Sequence, residues 1–110
     1  MNGWLDFKQR KNVKKMSIRT LGKSNLKASS IGMGCWALGG PMYHRRGFVI
    51  SYGSVKDKES IATVKRALEL GVTLFDTANN YGAGRSERVL GQALLGKREE
   101  VIIATKDVIE

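Results

Sequence analysis

The sequence predicts an α/β fold built on parallel strands, and three observations within Gly71 to Lys106 predict it. Two apolar runs, Val72 to Phe75 and Val101 to Thr105, have the length and continuous character of strands buried on both faces. Between them, Arg85 to Leu95 places Val89, Leu90, Ala93 and Leu94 at helical spacing. The first run ends in Asp76 and the second in Lys106. Strand, helix, strand is a βαβ unit, whose crossover makes the strands parallel and is almost always right-handed. Parallel neighbours lie roughly 5 Å apart with their carboxyl ends on one edge, so Asp76 and Lys106 are expected side by side where α/β proteins place their chemistry. Tyr81, in the loop after Asp76, reaches the same mouth.

The other elements follow in chain order. Residues 1 to 15 are polar, basic and aperiodic, and are expected to form a disordered or weakly helical extension ahead of a partial domain over 16 to 110, with Met16 a candidate natural start. Ile18 to Leu21 and Leu26 to Ser29 flank the turn-like Gly22-Lys23-Ser24-Asn25 and predict a β-hairpin. Ile31 to Trp36 alternates small and apolar residues as a further strand; its Gly32-x-Gly34 lacks the third glycine and the following helix of a dinucleotide fingerprint. A long connection, Ala37 to Gly53, carries a Gly39-Gly40-Pro41 breaker and the large side chains Tyr43, His44, Phe48 and Tyr52. Asp57 to Leu70 is an amphipathic helix with Ile61, Val64, Ala67 and Leu68 on one face, a Ser54-x-x-Asp57 start resembling a capping box and Gly71 as its stop. For the second helix, Ser86 or Gly84 is the expected opening and Gly96 the end; Lys97 to Glu100 is a solvated turn.

Composition excludes several classes. The formal charge is +9, yet residues 1 to 30 hold eight Lys or Arg against one Asp6, and the remainder is nearly balanced at 11 to 9. The basicity belongs to the N-terminal segment rather than to a patch on the fold, and no aromatic interleaving accompanies it, so no nucleic-acid partner is expected. No run approaches the ~18 apolar residues of a membrane span, and residues 1 to 15 lack a secretory apolar core. The single Cys35 excludes an internal disulfide and suits a reducing cytoplasm. No metal ligands are assigned.

The segment FDTANNYGAGRSERVLGQAL resembles the Asp-Thr-Ala-x-x-Tyr-Gly segment of the aldo-keto reductases, and IIATK resembles the strand ending in their active-site lysine. The resemblance covers roughly Ser17 to Lys106. It implies the N-terminal portion of a (β/α)8 TIM barrel, about three β/α repeats preceded by the hairpin; a whole barrel takes about 250 residues. It also implies NADPH-linked reduction of a small aldehyde or ketone. Three members of the family's tetrad fall on Asp76, Tyr81 and Lys106, while its histidine has no counterpart. His44 sits in the wrong place, and a lone loop histidine is usually only solvated. The Gly-x-Gly-x-Trp strand, with Gly34, Cys35 and Trp36, would run beneath the nicotinamide, with Asp76 beside it. The hairpin would close the bottom of the barrel, although it reads equally well as a bare surface hairpin.

Carbonyl reduction needs a proton donor where charge develops on oxygen. Tyr81 is the candidate, a neighbouring cation favours the ionised form of a phenol, and Lys106 would supply that cation. Asp76 would keep the lysine charged and in position, a pair whose burial is tolerable only while both partners are present. Asn80 and Thr77 either cap the turn or touch the substrate. Separately, each residue of the trio also reads as a rim ion pair or a lid over a core. Because the histidine and the phosphate-binding loops are absent, weak or absent cofactor binding is expected of the chain alone, and a complementing C-terminal fragment is the expected partner. The alternative is a non-catalytic remnant or interaction fragment of such a reductase.

Overall fold

The computed structural model describes residues 16 to 43, 45 to 49, 53 and 55 to 107. The extension over 1 to 15, His44, Tyr52 and Ser54 lie outside the described residues.

Two sheets form. Strands β1 (Ile18–Thr20) and β2 (Lys27–Ser29) pair antiparallel, with Ile18 opposite Ser29 and Thr20 opposite Lys27. Their turn uses left-handed backbone at Gly22 and Asn25 and is closed by a 2.8 Å hydrogen bond from Leu21 N to the Leu26 carbonyl. Strands β3 (Gly32–Gly34), β4 (Leu74–Asp76) and β5 (Ile102–Ala104) make a parallel sheet in that order, with Gly34, Asp76 and Ala104 in register at its carboxyl edge. The expected α/β class and parallel order are therefore present, as an open three-stranded sheet with no closed barrel among the described residues. Two complete strand–helix units and a third strand are described.

The ladders are shorter than the apolar runs that foretold them. Val72 and Val101 are 8% and 5% exposed, so both are core residues standing just ahead of their strands. Apolar continuity reports burial, and burial extends past the backbone pairing. Beyond the carboxyl ends, single bonds continue the zipper: Cys35 N to Asp76 O at 2.8 Å, Thr77 N to Ala104 O at 2.8 Å and Asn79 N to Lys106 O at 3.0 Å. These bonds fix the exits of all three strands against one another.

Helix α1 (Asp57–Glu69) buries Val64 fully, with Ile61, Ala67 and Leu68 against the same core. Its N-cap is Lys56, which makes no side-chain capping bond. It ends as a Schellman motif: Gly71, at φ 97°, donates to the Leu68 carbonyl, and Val72 N reaches back to Ala67 O at 3.0 Å. Helix α2 (Arg85–Ala93) is capped by Gly84 at φ 96° and buries Ser86, Val89, Leu90 and Ala93. Ser86, expected as a possible opening residue, lies inside the helix and faces the core. The helix stops two residues before the expected Leu95, which is 85% exposed. The turn over Lys97 to Glu100 contains one 3-10 turn, Arg98–Glu100.

Phe75, at 0% exposure, is the largest fully buried side chain among the described residues and sits with Cys35, Leu38, Val64 and Leu90 in one cluster under the strand exits. A second 3-10 turn, Trp36–Gly39, follows β3. It ends where the Gly39-Gly40-Pro41 breaker interrupts the chain, and it carries Trp36 over the edge of the sheet.

Candidate active site

Asp76 is the last residue of β4 and Lys106 stands two residues beyond β5, in the register that puts Asp76 opposite Ala104. Lys106 Nζ donates to Asp76 Oδ1 at 2.9 Å and to the Thr77 carbonyl at 3.0 Å. The same ammonium lies 5.3 Å from the centroid of the Tyr81 ring, within cation–π range. Trp36 closes the other side, its ring centroid 6.2 Å from that of Tyr81 at an interplanar angle of 32°, and its indole N–H donates to Met42 Sδ at 3.0 Å. The three residues expected to converge are thus together, with Trp36 added.

The hydrogen bond with Asp76 raises the Lys106 pKa above its ordinary 10.5 against a smaller opposing effect of desolvation, and a hydrogen bond with Tyr81 and the charges of both residues act in the same sense. The ammonium form is held. One expectation needs correction: the pair is not buried, since the side chains of Lys106 and Asp76 are 47% and 57% exposed. The strands end at an open rim with nothing among the described residues above them, so solvent screens the pair and its contribution to stability is small.

Tyr81 is held by its backbone. Its amide donates to Ala78 O at 3.4 Å, and its carbonyl accepts from Ser86 N at 3.2 Å. Gly39 packs flat against it, so close that a Cβ on Gly39 would meet the Tyr81 carbonyl carbon at 2.6 Å. Beyond Lys106, Asn79 Nδ2 donates to Asp107 Oδ1, and Thr105 donates to Glu87 Oε1 at 2.6 Å. Asn80 Oδ1 is buried without a hydrogen-bond partner.

Of the strand expected to lie under a cofactor, Gly34 is exposed, and a Cβ there would meet nothing within 4 Å. Cys35 points the other way. It is 0% exposed in the core, its thiol donates to Met33 O at 3.5 Å, and burial pushes its pKa from 9.0 to about 11. Its backbone is taken as well, the amide donating to Asp76 O at 2.8 Å and the carbonyl accepting from Ser86 Oγ at 2.7 Å, so Cys35, expected to contact a cofactor, presents no group to the rim. Tyr43 and Phe48 belong to an exposed arm closed by an antiparallel bridge between Tyr43 and Val49, and they are 67% and 52% exposed.

Sequence reasoning missed two supports. Arg85 ties the two helix starts, with Nε and a terminal nitrogen 2.8 and 2.7 Å from Asp57 Oδ1 and a bond to Val55 O at 2.9 Å. Ser86 joins Thr77 and the Cys35 carbonyl through its hydroxyl. A signal for Ser86 was present: with Val89, Leu90 and Ala93 it completes the i, i+3, i+4, i+7 apolar face, and a lone hydroxyl on such a face is a buried one.

Residues 30 to 108 match the model of the aldo/keto reductase family. The chain is 40% identical over 97 residues to the aldo-keto reductase YhdN of Bacillus subtilis, covering 86% of itself and 27% of that protein. Among solved structures, an aldo-keto reductase from Bacillus halodurans in its holo form superposes with a TM-score of 0.66 at 32% identity, over 82% of this chain and 25% of the other. One from Klebsiella pneumoniae in complex with NADPH gives 0.61 at 25% identity, over 84% and 28%. The chain therefore spans about a quarter of the length of these relatives. With the Asp76, Tyr81 and Lys106 rim on the same edge, the match over most of its length means that this chain belongs to the aldo/keto reductase family.

Proposed function

We propose that the chain is the N-terminal part of an NADPH-linked oxidoreductase that reduces a small aldehyde or ketone, with Tyr81 as proton donor. The observation that carries this reading is the Lys106 ammonium, bound by Asp76 at 2.9 Å and poised over the Tyr81 ring at 5.3 Å. The open space at Gly34 suits the close approach of a flat ring, so Gly34, Trp36 and Asp76 would hold the cofactor, with Cys35 buried behind them. The nicotinamide, when bound, supplies the hydride. Tyr81 delivers the proton to the carbonyl oxygen as negative charge builds there, and Lys106 stabilises the phenolate left behind. Asp76 keeps Lys106 protonated and aimed. Trp36, packed on Tyr81, restricts the ring and walls the mouth on the β3 side.

The site is completed by segments that follow in full-length relatives, supplied in the same chain or by a complementing C-terminal partner. We assign the protein to the cytoplasm on its single cysteine; among the described residues no helix is long and apolar enough to cross a membrane.

The test joins this chain to the remaining three quarters of a full-length relative and measures NADPH consumption with a panel of small carbonyl compounds. Turnover that falls by roughly 100-fold or more in Tyr81→Phe supports the proton-donor role; equal turnover in that variant overturns it. The half exposure of Lys106 and Asp76 favours a second reading, a non-catalytic fragment of such a reductase. A joined protein that folds but turns over no carbonyl in the panel, while still binding NADPH, decides for that reading.

A further inference from the structure

Two buried hydroxyls lie beneath the rim. Thr77 Oγ1 and Ser86 Oγ are 2.8 Å apart, and the two residues are 1% and 0% exposed. Ser86 Oγ also donates to the Cys35 carbonyl at 2.7 Å. A hydroxyl has one proton to give. With that proton committed to Cys35, Ser86 accepts from Thr77, and the direction of the whole chain is fixed: Thr77 donates to Ser86, which donates to the Cys35 carbonyl. Three segments are joined this way, namely the exits of β3 and β4 and the first turn of α2.

The Thr77 peptide is held from its other side as well. Its amide donates to Ala104 O at 2.8 Å, and its carbonyl accepts from Lys106 Nζ at 3.0 Å. Lys106 therefore rests between side-chain partners, Asp76 and Tyr81, and one backbone carbonyl, that of Thr77. The Asp76 carboxylate is 57% exposed on a side chain that can turn. The Thr77 carbonyl belongs to a backbone pinned by strand pairing above and by the buried hydroxyls below. A Thr77 free to rotate its peptide would leave the ammonium with side-chain partners only, Asp76 and Tyr81.

We propose that Thr77 and Ser86 are positioning residues, whose one-way hydroxyl chain to the Cys35 carbonyl fixes the Thr77 carbonyl and through it the Lys106 ammonium. Neither hydroxyl reaches the mouth, so neither touches a reactant. The placement of Lys106 is a property of the folded chain; its consequence for turnover rests on the proposed function.

The experiment uses the full 110-residue chain with isotope-labelled lysine and follows each side chain by NMR across an alkaline titration. The ionisable groups facing Lys106 are Asp76 and Tyr81, with the Cys35 thiol in the core beneath, and none is altered. In Ser86→Ala, Lys106 is expected to titrate at lower pH than in the wild type, because an acceptor that favours its charged form has moved, while Lys65 and Lys97 stay unchanged. Thr77→Ser in the wild-type background, which keeps the hydroxyl, retains the wild-type behaviour. Thr77→Val keeps the volume while removing the donor, and it supplies the same reading where Ser86→Ala loses the fold. A folded variant in which Lys106 titrates as in the wild type overturns the proposal, as does a shift shared by all lysines. Failure here is separable from failure of the proposed function, which the Tyr81→Phe turnover decides.

Discussion

Gly39 and Gly82 meet backbone to backbone: a Cβ on Gly82 would stand 2.0 Å from the Gly39 carbonyl oxygen, and one on Gly39 would stand 2.6 Å from the carbonyl carbon of Tyr81. The 3-10 turn that carries Trp36 and the loop that carries Tyr81 are thus packed with no side chain between them. Gly82 also has φ 61°, where an L-residue is strained.

Gly82→Ala is expected to be severely destabilising, by roughly 3 to 5 kcal/mol, because backbone atoms on both sides must shift. Denaturant midpoints measure this. A loss below about 1 kcal/mol would mean that the two loops separate at little cost, and that Tyr81 is not fixed by this contact.

Gly34 gives the opposite case. It has open space where a Cβ would go and an ordinary backbone, so Gly34→Ala should leave stability within about 0.5 kcal/mol. In a chain joined to the rest of a barrel, the added methyl stands where the nicotinamide is proposed to approach. NADPH affinity, followed by quenching of tryptophan fluorescence, should fall while the melting temperature holds. Unchanged affinity would remove Gly34 from the cofactor site.

Stability should decline at alkaline pH. Burial raises the Cys35 thiol from 9.0 to about 11, so between those values the unfolded chain loses its proton while the folded chain keeps it, and stability falls as pH rises. Each pH unit of such difference is about 1.4 kcal/mol, which puts the loss on the order of 2 to 3 kcal/mol. Lys106 acts in the same direction: its raised pKa contributes stability that is complete below the unfolded value and is lost as pH climbs through the folded one. Urea denaturation at pH 8, 9.5 and 11 tests both. Cys35→Ala should flatten most of the decline, leaving the small part from the solvent-screened lysine.

How much of this was legible in the sequence depends on whether a signal was local. The hairpin, the faces of both helices and the meeting of Asp76 with Lys106 follow from apolar periodicity and from the parallel register of a βαβ unit, and all are present. The strand limits were overdrawn because Val72 and Val101 are apolar for the core rather than for the ladder. That Lys106 and Asp76 are half exposed was not legible, since exposure depends on what covers the rim and not on the two residues. The contact of Trp36 with Tyr81 was hidden for a similar reason: it arises from a 3-10 turn whose only sequence mark is the breaker that ends it, and from glycines at 39 and 82 that matter as a pair.

Arg85 and Gly40 offer the same kind of paired dependence. The Arg85 guanidinium crosses the space where a Gly40 side chain would be, with a terminal nitrogen 2.6 Å from that Cβ position, and it is held there by Asp57 and the Val55 carbonyl. Gly40 has φ 70° as well, so Gly40→Ala suffers both backbone strain and displacement of the arginine. The ion pair is part exposed, at 31% and 53%, and so contributes little by itself. Arg85→Ala alone should cost no more than about 1 kcal/mol. In the double variant the displacement has nothing left to displace and only the strain remains, so the two losses should sum to more than the loss in the double variant by about 0.5 to 1 kcal/mol. Additive losses in that cycle would mean that the guanidinium moves aside freely and does not fasten the end of the long connection to the second helix.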